Sequence, residues 1–123
     1  MYNCLFCTIA NERKESAIAE NESAVAVLDI HPIAPGHTMV LPKTHAQTIL
    51  DLPDSEIQGV FKAVKETTLK IKKSLAPDGF TIGWNHGKNA GQAIDHLHIH
   101  IVPRYKGDNG GSIHTVVNNP PQE

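Results

Sequence analysis

The run His96-Leu97-His98-Ile99-His100-Ile101-Val102 alternates histidine with apolar residues. Side chains along a β-strand point to opposite faces in turn, so this alternation predicts a strand with three imidazoles on one face. The leucine and isoleucines form the other face, which suits a buried core. We place the strand over 95–102 and expect Pro103 to end it. The sequence therefore predicts a sheet that presents a row of histidines to a cleft or to solvent.

Further elements follow from apolar spacing. Apolar residues three and four positions apart over 57–75 predict one long amphipathic helix, with Asp54 as its N-cap. Shorter helices are expected over 5–10, capped by Asn3, and over 45–52. The other predicted strands cover 24–29, 38–41 and 80–85. The predicted fold class is α+β, with an antiparallel sheet of about five strands and the long helix on one face.

Composition limits the possible functions. The chain has 123 residues, of which 40% are hydrophobic and 20% charged, and its net charge is -2. These values predict one globular domain over 1–123, with a core over 4–104 and a tail over 105–123. They do not indicate a nucleic-acid-binding protein. No apolar run reaches the roughly 20 residues that span a bilayer, and no signal peptide is visible, so we expect a cytoplasmic location and no membrane partner.

Three interpretations of the histidine row differ in what the imidazoles do. In the first interpretation, they are the polar side of a half-buried strand. A His-x-His pair on a strand can also chelate zinc through neutral imidazoles. In the third interpretation, neighbouring imidazoles orient one another so that one of them acts as a nucleophile.

The two cysteines, Cys4 and Cys7, form a C-x-x-C pair. In a reducing compartment this spacing indicates a metal half-site or a redox pair rather than a structural disulfide. A tetrahedral zinc site would need two more ligands of thiolate or imidazole type.

The histidine run and three upstream segments resemble the histidine triad (HIT) family, whose signature is His-φ-His-φ-His-φ-φ with φ apolar. All seven positions match. The other matching segments are Leu28-Asp29-Ile30, Gly36-His37-Thr38-Met39-Val40-Leu41-Pro42-Lys43, and Asn85 followed by Gly91-Gln92. They stand in the family's order, and the resemblance covers about residues 4–104. It implies the HIT fold and a homodimer that pairs two sheets across a two-fold axis.

The resemblance also implies a nucleotide hydrolase. His98, the middle histidine, matches the nucleophile that attacks the α-phosphorus, after which water hydrolyses a nucleotidyl-histidine intermediate. The remaining catalytic positions are His96, His100 and His37. Donors to the phosphoryl oxygens are expected from His100, Gln92 and the backbone N–H groups near Gly91 to Ala93.

Further positions match the family's nucleotide contacts. Asp29 matches a ribose contact, since a carboxylate accepts hydrogen bonds from the 2′- and 3′-hydroxyls. Asn85 matches a contact to ribose or phosphate. The apolar wall around a purine base is expected from Phe6, Ile9, Val27 and Ile30. No organic cofactor is expected. A nucleotide-binding regulatory or interaction module with little turnover would use the same pocket and is the alternative.

Two positions bear on the substrate. Position 93 is Ala93, whereas family branches that cleave nucleoside phosphoramidates carry a serine there. The transferase branch has glutamine where this chain has His100, which favours hydrolysis over nucleotidyl transfer. Nucleoside phosphoramidates and dinucleoside polyphosphates both stay open as substrates.

Family members that keep the C-x-x-C pair complete a zinc site with two histidines. The implied ligands here are Cys4, Cys7, His45 and His96. A closed four-ligand site has no position for a catalytic water, so this zinc would be structural. We expect its removal to cost stability more than chemistry.

Overall fold

The computed structural model describes residues 4–12 and 16–117 and has the predicted α+β class. In chain order the elements are α1 (Leu5–Glu12), β1 (Ala19–Glu20), β2 (Ala24–Leu28), β3 (Thr38–Pro42), α2 (Asp54–Leu75), β4 (Gly79–Gly83) and β5 (Ile99–Arg104). The five strands form one antiparallel sheet in the order β1-β2-β3-β5-β4. Neither helix within the described residues is long and apolar enough to cross a bilayer.

Helix α2 covers one face of the sheet, as the apolar spacing predicts. Its buried side chains are Val60, Ala63, Val64, Thr67 and Ile71. Leu97, Ile99 and Ile101 pack into the same core, so the apolar face of the histidine segment lies under α2. The assignment of Asp54 as N-cap is wrong: Pro53 occupies that position without a side-chain cap bond, and Asp54 is the first helical residue. An acidic residue there still interacts favourably with the helix dipole.

Helix α1 lies on the opposite face of the sheet. Phe6 and Ala10 of α1 are buried against an apolar cluster that comprises Val25, Val27, Met39 and Leu41. Since alternating residues of the histidine segment face away from the α2 core, α1 and the histidines share one side of the sheet. The expected cap of this helix, Asn3, lies outside the described residues.

The final strand starts and ends later than predicted. It covers Ile99–Arg104, because the backbone N–H of Leu97 donates to Ala46 O rather than to a neighbouring strand. Pro103 lies inside the strand and does not end it. Within β5, only Ile99, His100 and Ile101 pair with β3. Beyond them, β4 is the one neighbour of β5 among the described strands. A strand with one neighbour tolerates a residue that has no N–H.

The structure differs from expectation at two further places, the segment over 45–52 and strand β1. The helix expected over 45–52 is instead a series of bends and turns. Backbone carbonyls of this segment serve distant partners, with Ala46 O accepting from Leu97 N–H and Gln47 O from the Gln92 side chain. Strand β1 was not predicted at all, since its two residues are too few to show a pattern. Beyond Tyr105, the described part of the tail contains a turn and a short 3₁₀ helix over Ile113–Val116.

Candidate functional site

His98 lies half-buried just before β5, with one ring nitrogen fixed. Its Nδ1 lies 2.7 Å from the backbone oxygen of His96. A carbonyl oxygen can only accept, so Nδ1 carries the proton and donates it. In the neutral ring Nε2 therefore keeps an unshared lone pair, which is the form a nucleophilic imidazole requires.

A second set of contacts fixes His37 and His100. The backbone N–H of Ile33 donates to Nδ1 of His37 at 3.2 Å, so the neutral His37 ring carries its proton on Nε2. That Nε2 lies 2.9 Å from Nδ1 of His100, which must then be the acceptor. The proton of a neutral His100 is thereby placed on Nε2. His100 can thus offer an N–H donor but no basic nitrogen on that side of its ring.

The electrostatics favour neutral rings at both positions. Burial lowers the pKa of His100 to about 4, and nearby His98 and His37 act in the same direction. Burial also lowers the pKa of His37. The Asp29 carboxylate opposes both shifts, since its Oδ2 is 3.4 Å from Nε2 of His37 and 3.9 Å from Nδ1 of His100. Burial is the larger effect in each case, so both rings are uncharged at neutral pH.

His96 faces away from this pair and toward the cysteines. Its Nε2–H donates to the backbone oxygen of Pro42 at 2.9 Å, which leaves Nδ1 unprotonated. Nδ1 lies 3.3 Å from Cys4 Sγ and 3.5 Å from Cys7 Sγ, and Nδ1 of His45 lies 3.2 Å from Cys7 Sγ. Burial lowers the pKa of His96 to about 4, which keeps the ring neutral and able to ligate.

His96 and the three side chains next to it, which together we call the Cys/His cluster, fit a tetrahedral zinc ion. Cys4, Cys7, His45 and His96 bring one ligand atom each, and all four atoms lie within 4.8 Å of one another. Typical Zn–S and Zn–N bond lengths give an S···N edge of about 3.6 Å in a tetrahedron. The observed sulfur–nitrogen distances are close to that edge. The N–H of Cys7 also donates to Cys4 Sγ at 3.3 Å.

The buried side chain of Gln92 stabilises the loop before the histidines through hydrogen bonds. Its Oε1 accepts from Gly87 N–H at 2.8 Å, and its amide group donates to Gln47 O at 2.7 Å and to Ile94 O at 3.1 Å. Both amide hydrogens of the predicted phosphate donor are therefore engaged within the protein. Sequence patterns give no sign of such long-range bonds.

The backbone amides of the loop differ in availability. The N–H groups of Gly91 and Gln92 donate to Lys88 O and Gly87 O. The N–H of exposed Ala93 has no acceptor within residues 4–12 and 16–117. Gly91 has a φ of +99°, and an added Cβ would lie 3.5 Å from the Asn85 amide nitrogen, so Asn85 sits beside this loop. Of the three predicted backbone donors, that of Ala93 is the one left to bind a ligand.

The expected nucleotide contacts are split between core and surface. Phe6 and Val27 are buried and Ile9 packs against them, whereas Ile30 is 81% exposed. Asp29 stands at the end of β2, and its Oδ1 accepts from His31 N–H at 2.8 Å. A cavity of about 460 Å³ opens beside it, lined by Leu28, Asp29, Pro32, Ile33, Ala34, Pro35, Gly36 and His37.

Comparison with protein families gives a match to the HIT domain over residues 10–107. The chain belongs to the HIT family. An uncharacterized HIT-like protein of Methanocaldococcus jannaschii is 43% identical over 106 residues, which are 85% of this chain and 81% of the relative. The adenosine 5′-monophosphoramidase of Schizosaccharomyces pombe is 34% identical over 83% of this chain and 74% of its own length. An adenylylsulfatase of Arabidopsis thaliana is 35% identical over 86% of this chain and 54% of its own length.

Solved HIT structures have the same fold. A HIT family protein from Bacillus anthracis superposes with a TM-score of 0.82 at 36% identity, covering 90% of this chain and 80% of that one. A zinc-bound histidine triad family protein from Mycobacterium smegmatis gives a TM-score of 0.78 at 36% identity, covering 87% and 78%.

Three groups at this HIT site were not foreseen from the sequence. The backbone oxygen of Pro42 and the backbone N–H of Ile33 select the ring nitrogens of His96 and His37. The ring of Phe6, expected at a nucleobase, contacts the imidazole of His98, with ring centres 4.9 Å apart. Backbone groups carry no sequence signal, so their roles emerge only from the fold.

Proposed function

We propose that this HIT protein hydrolyses nucleotides at the α-phosphorus, with His98 as the nucleophile. The observation that carries the proposal is the bond from Nδ1–H of His98 to the backbone oxygen of His96, which leaves the Nε2 lone pair free. The neighbouring His37 and His100 rings are neutral, so His100 offers a donor rather than a second base. The names of two relatives, an adenosine 5′-monophosphoramidase and an adenylylsulfatase, support chemistry at a phosphorus next to adenosine.

In the first step Nε2 of His98 bonds to the α-phosphorus while the P–N or P–O bond to the leaving group breaks. The leaving group keeps the bonding electrons and takes up a proton from the solvent. The imidazolium that forms retains its Nδ1–H bond to the His96 oxygen, which stabilises the positive charge. Water then attacks the phosphorus and gives up a proton to the solvent, and the P–Nε2 bond breaks with its electrons returning to Nε2. A nucleoside monophosphate and neutral His98 are released.

The developing negative charge on phosphoryl oxygens calls for fixed donors. We assign that role to Nε2–H of His100, whose direction is set through His37, and to the N–H of Ala93. We assign to Asp29 the role of accepting from the ribose hydroxyls, and to Asn85, which lies beside Gly91, a contact to ribose or phosphate. Ala93 has no hydroxyl, so a leaving group that needs a hydrogen bond from that position is disfavoured. Between the two substrate classes, this favours dinucleoside polyphosphates over phosphoramidates.

We further propose that the Cys/His cluster binds zinc. The distances between its atoms, the neutral His96 and the zinc-bound relative from Mycobacterium smegmatis support this. A closed set of four ligands does no chemistry on substrate, and the ion would fix α1 to the sheet. Because the cluster needs reduced thiols, a cytoplasmic location fits it.

We also propose that the chain forms a single domain with its core over 4–104, and that two copies form a homodimer. Strand β4 is an edge of the sheet, and nearby Ile82 and Trp84 are 42% and 36% exposed. An unpaired edge flanked by apolar side chains suits pairing with a second copy across a two-fold axis. Sedimentation equilibrium would give twice the 13.4 kDa chain mass if the proposal holds.

The decisive experiment is acid-quench trapping with α-³²P-labelled substrates. Adenosine 5′-phosphoramidate and diadenosine tetraphosphate are each mixed with the protein, and label on the chain is measured within milliseconds. His98→Ala should lose the label and at least about 10³-fold in kcat. The control is His31→Ala, since His31 is exposed and contacts Asp29 through its backbone N–H, which the substitution keeps. Turnover without any trapped label would exclude the covalent route, and nucleotide binding without turnover would favour a binding module.

A further inference from the structure

Phe6 links the Cys/His cluster to the proposed nucleophile. It stands between Cys4 and Cys7 in the sequence, at the start of α1, and is only 5% exposed. Its ring centre lies 6.0 Å from that of His96 at an interplanar angle of 85°, and 4.9 Å from that of His98 at 70°. These are edge-to-face contacts, the geometry that aromatic pairs prefer. One phenyl ring thus touches both a cluster residue and the imidazole that attacks.

The contact with Phe6 limits how His98 can move. His98 also contacts the ring of His100, with ring centres 5.1 Å apart at an interplanar angle of 73°. A half-turn of the His98 ring about χ2 would exchange Nδ1 for a carbon and break the bond to the His96 oxygen. A ring in contact with two other rings has less room for that turn. The phenyl ring therefore helps to keep Nδ1–H on the carbonyl and Nε2 directed at a substrate.

The position of Phe6 depends in turn on α1. A helix of 8 residues is too short to be stable by itself in water. It is tied to the sheet by the buried side chains of Phe6 and Ala10, by the Asn11 amide, which donates to Lys43 O at 3.1 Å, and by the two cysteines. Cys7 follows Phe6 directly and Cys4 lies two residues before it, so the cluster fixes the turn that carries the phenyl ring.

We propose that Phe6 is a positioning residue for the His98 imidazole and that the Cys/His cluster, when it holds zinc, keeps Phe6 in place. The proposal rests on the proposed function. It changes the expectation that metal loss costs stability alone, because loosening α1 also releases the His98 ring. It also gives Phe6 a role other than the nucleobase wall, for which its 5% exposure leaves little surface.

The test compares Phe6→Leu with Phe61→Leu, both in the zinc-loaded protein. Leucine keeps apolar volume at position 6 but removes the ring contact. Phe61 is a partly buried phenylalanine of α2, on the other face of the sheet, whose ring lies 5.9 Å from Trp84. Three quantities are measured for each protein: zinc per chain, the His98 tautomer from long-range ¹H–¹⁵N spectra at pH 7.5, and the rate at which label reaches His98 under rapid quench.

We expect Phe6→Leu to keep its zinc but to show a mixture of His98 tautomers, and to label about tenfold more slowly than Phe61→Leu. KM should change less than the labelling rate, because the substrate contacts remain. Wild type stripped of zinc should show the same mixed tautomers as Phe6→Leu. If stripping unfolds the protein, Phe6→Leu alone still decides the role of the ring.

Equal tautomers and equal labelling rates in the two leucine variants would overturn the proposal. If the wild type hydrolyses nucleotides without label on His98, or not at all, the proposed function fails instead. The tautomer spectra then still show whether Phe6 orients this ring, so the two failures can be told apart.

Discussion

Two groups of side chains on the same side of the sheet have the composition of a metal site, yet their protons are arranged in opposite ways. The Cys/His cluster and the trio of Asp29, His37 and His100 both bring three or more ligand-type atoms within 4.8 Å of one another. In the cluster, the His96 proton points outward to Pro42 O, and a lone pair faces the sulfurs. In the trio, Ile33 N–H already occupies Nδ1 of His37, and the His37 proton already occupies Nδ1 of His100.

The difference shows that residue type and proximity do not suffice to define a metal site. A metal on Nε2 of His37 would have to displace a proton from a ring whose other nitrogen is held by a donor, which would create an imidazolate. The backbone group behind each imidazole decides which nitrogen faces inward, as in metal sites where a carbonyl orients a ligating histidine. One side of the sheet thus holds a cluster suited to a cation beside a trio suited to hydrogen-bonding a phosphate.

The largest effect that can break this comparison is loss of zinc. Cys7→Ser should reduce bound zinc from about one ion per chain to almost none, and lower the free energy of unfolding by at least about 3 kcal/mol. His37→Gln should leave the zinc content unchanged and lower stability by no more than about 2 kcal/mol, since glutamine can still donate to His100. Metal analysis and urea unfolding measure both. Zinc retained by Cys7→Ser and lost from His37→Gln would reverse the two assignments.

The sequence predicts the placement of side chains better than it predicts the hydrogen bonds of the backbone. The alternation over 96–102 correctly predicts that Leu97, Ile99 and Ile101 enter the core under α2. The C-x-x-C spacing of Cys4 and Cys7 indicates a metal half-site, and the family resemblance supplies two histidines as the other ligands. The segment over 45–52 does not form the expected helix, because two of its carbonyls bond to Leu97 and Gln92, 45 residues or more away. The choice of ring nitrogen at His96 is equally non-local, since it depends on the backbone oxygen of Pro42, 54 residues away.

An intermediate effect comes from pH and concerns the trio. The pKa of His100 is about 4 in the folded protein, below the ordinary value of 6.5, because the ring is buried. Between these values the unfolded chain binds more protons, so acid favours unfolding. His100 should therefore contribute stability that is fully present above pH 6.5 and is lost as the pH falls toward 4. From pH 7 to pH 5 we expect a loss of about 1 to 2 kcal/mol.

Comparing wild type with His100→Gln isolates this contribution, since the cysteines and the other histidines are common to both. The free energy of unfolding is measured by urea at pH 7 and pH 5. The variant should lose less stability on acidification than the wild type. Equal losses would mean that His100 already binds a proton near neutral pH, and the donor role drawn from His37 would then fail.

The smallest effect concerns a buried hydroxyl far from both groups. The question is again whether a polar atom has a hydrogen-bond partner. Within the described residues, Thr67 Oγ1 is a buried side-chain oxygen without a hydrogen-bond partner. Its neighbour Thr68 donates from Oγ1 to Val64 O at 2.7 Å. Replacing an unsatisfied hydroxyl by a methyl group removes a desolvation cost, so Thr67→Val should raise the free energy of unfolding by about 1 kcal/mol. Thr68→Val loses a bond and should be neutral or slightly destabilising. If Thr67→Val is instead the more harmful change, a buried water satisfies that hydroxyl, and partners must be counted with solvent even in the core under α2.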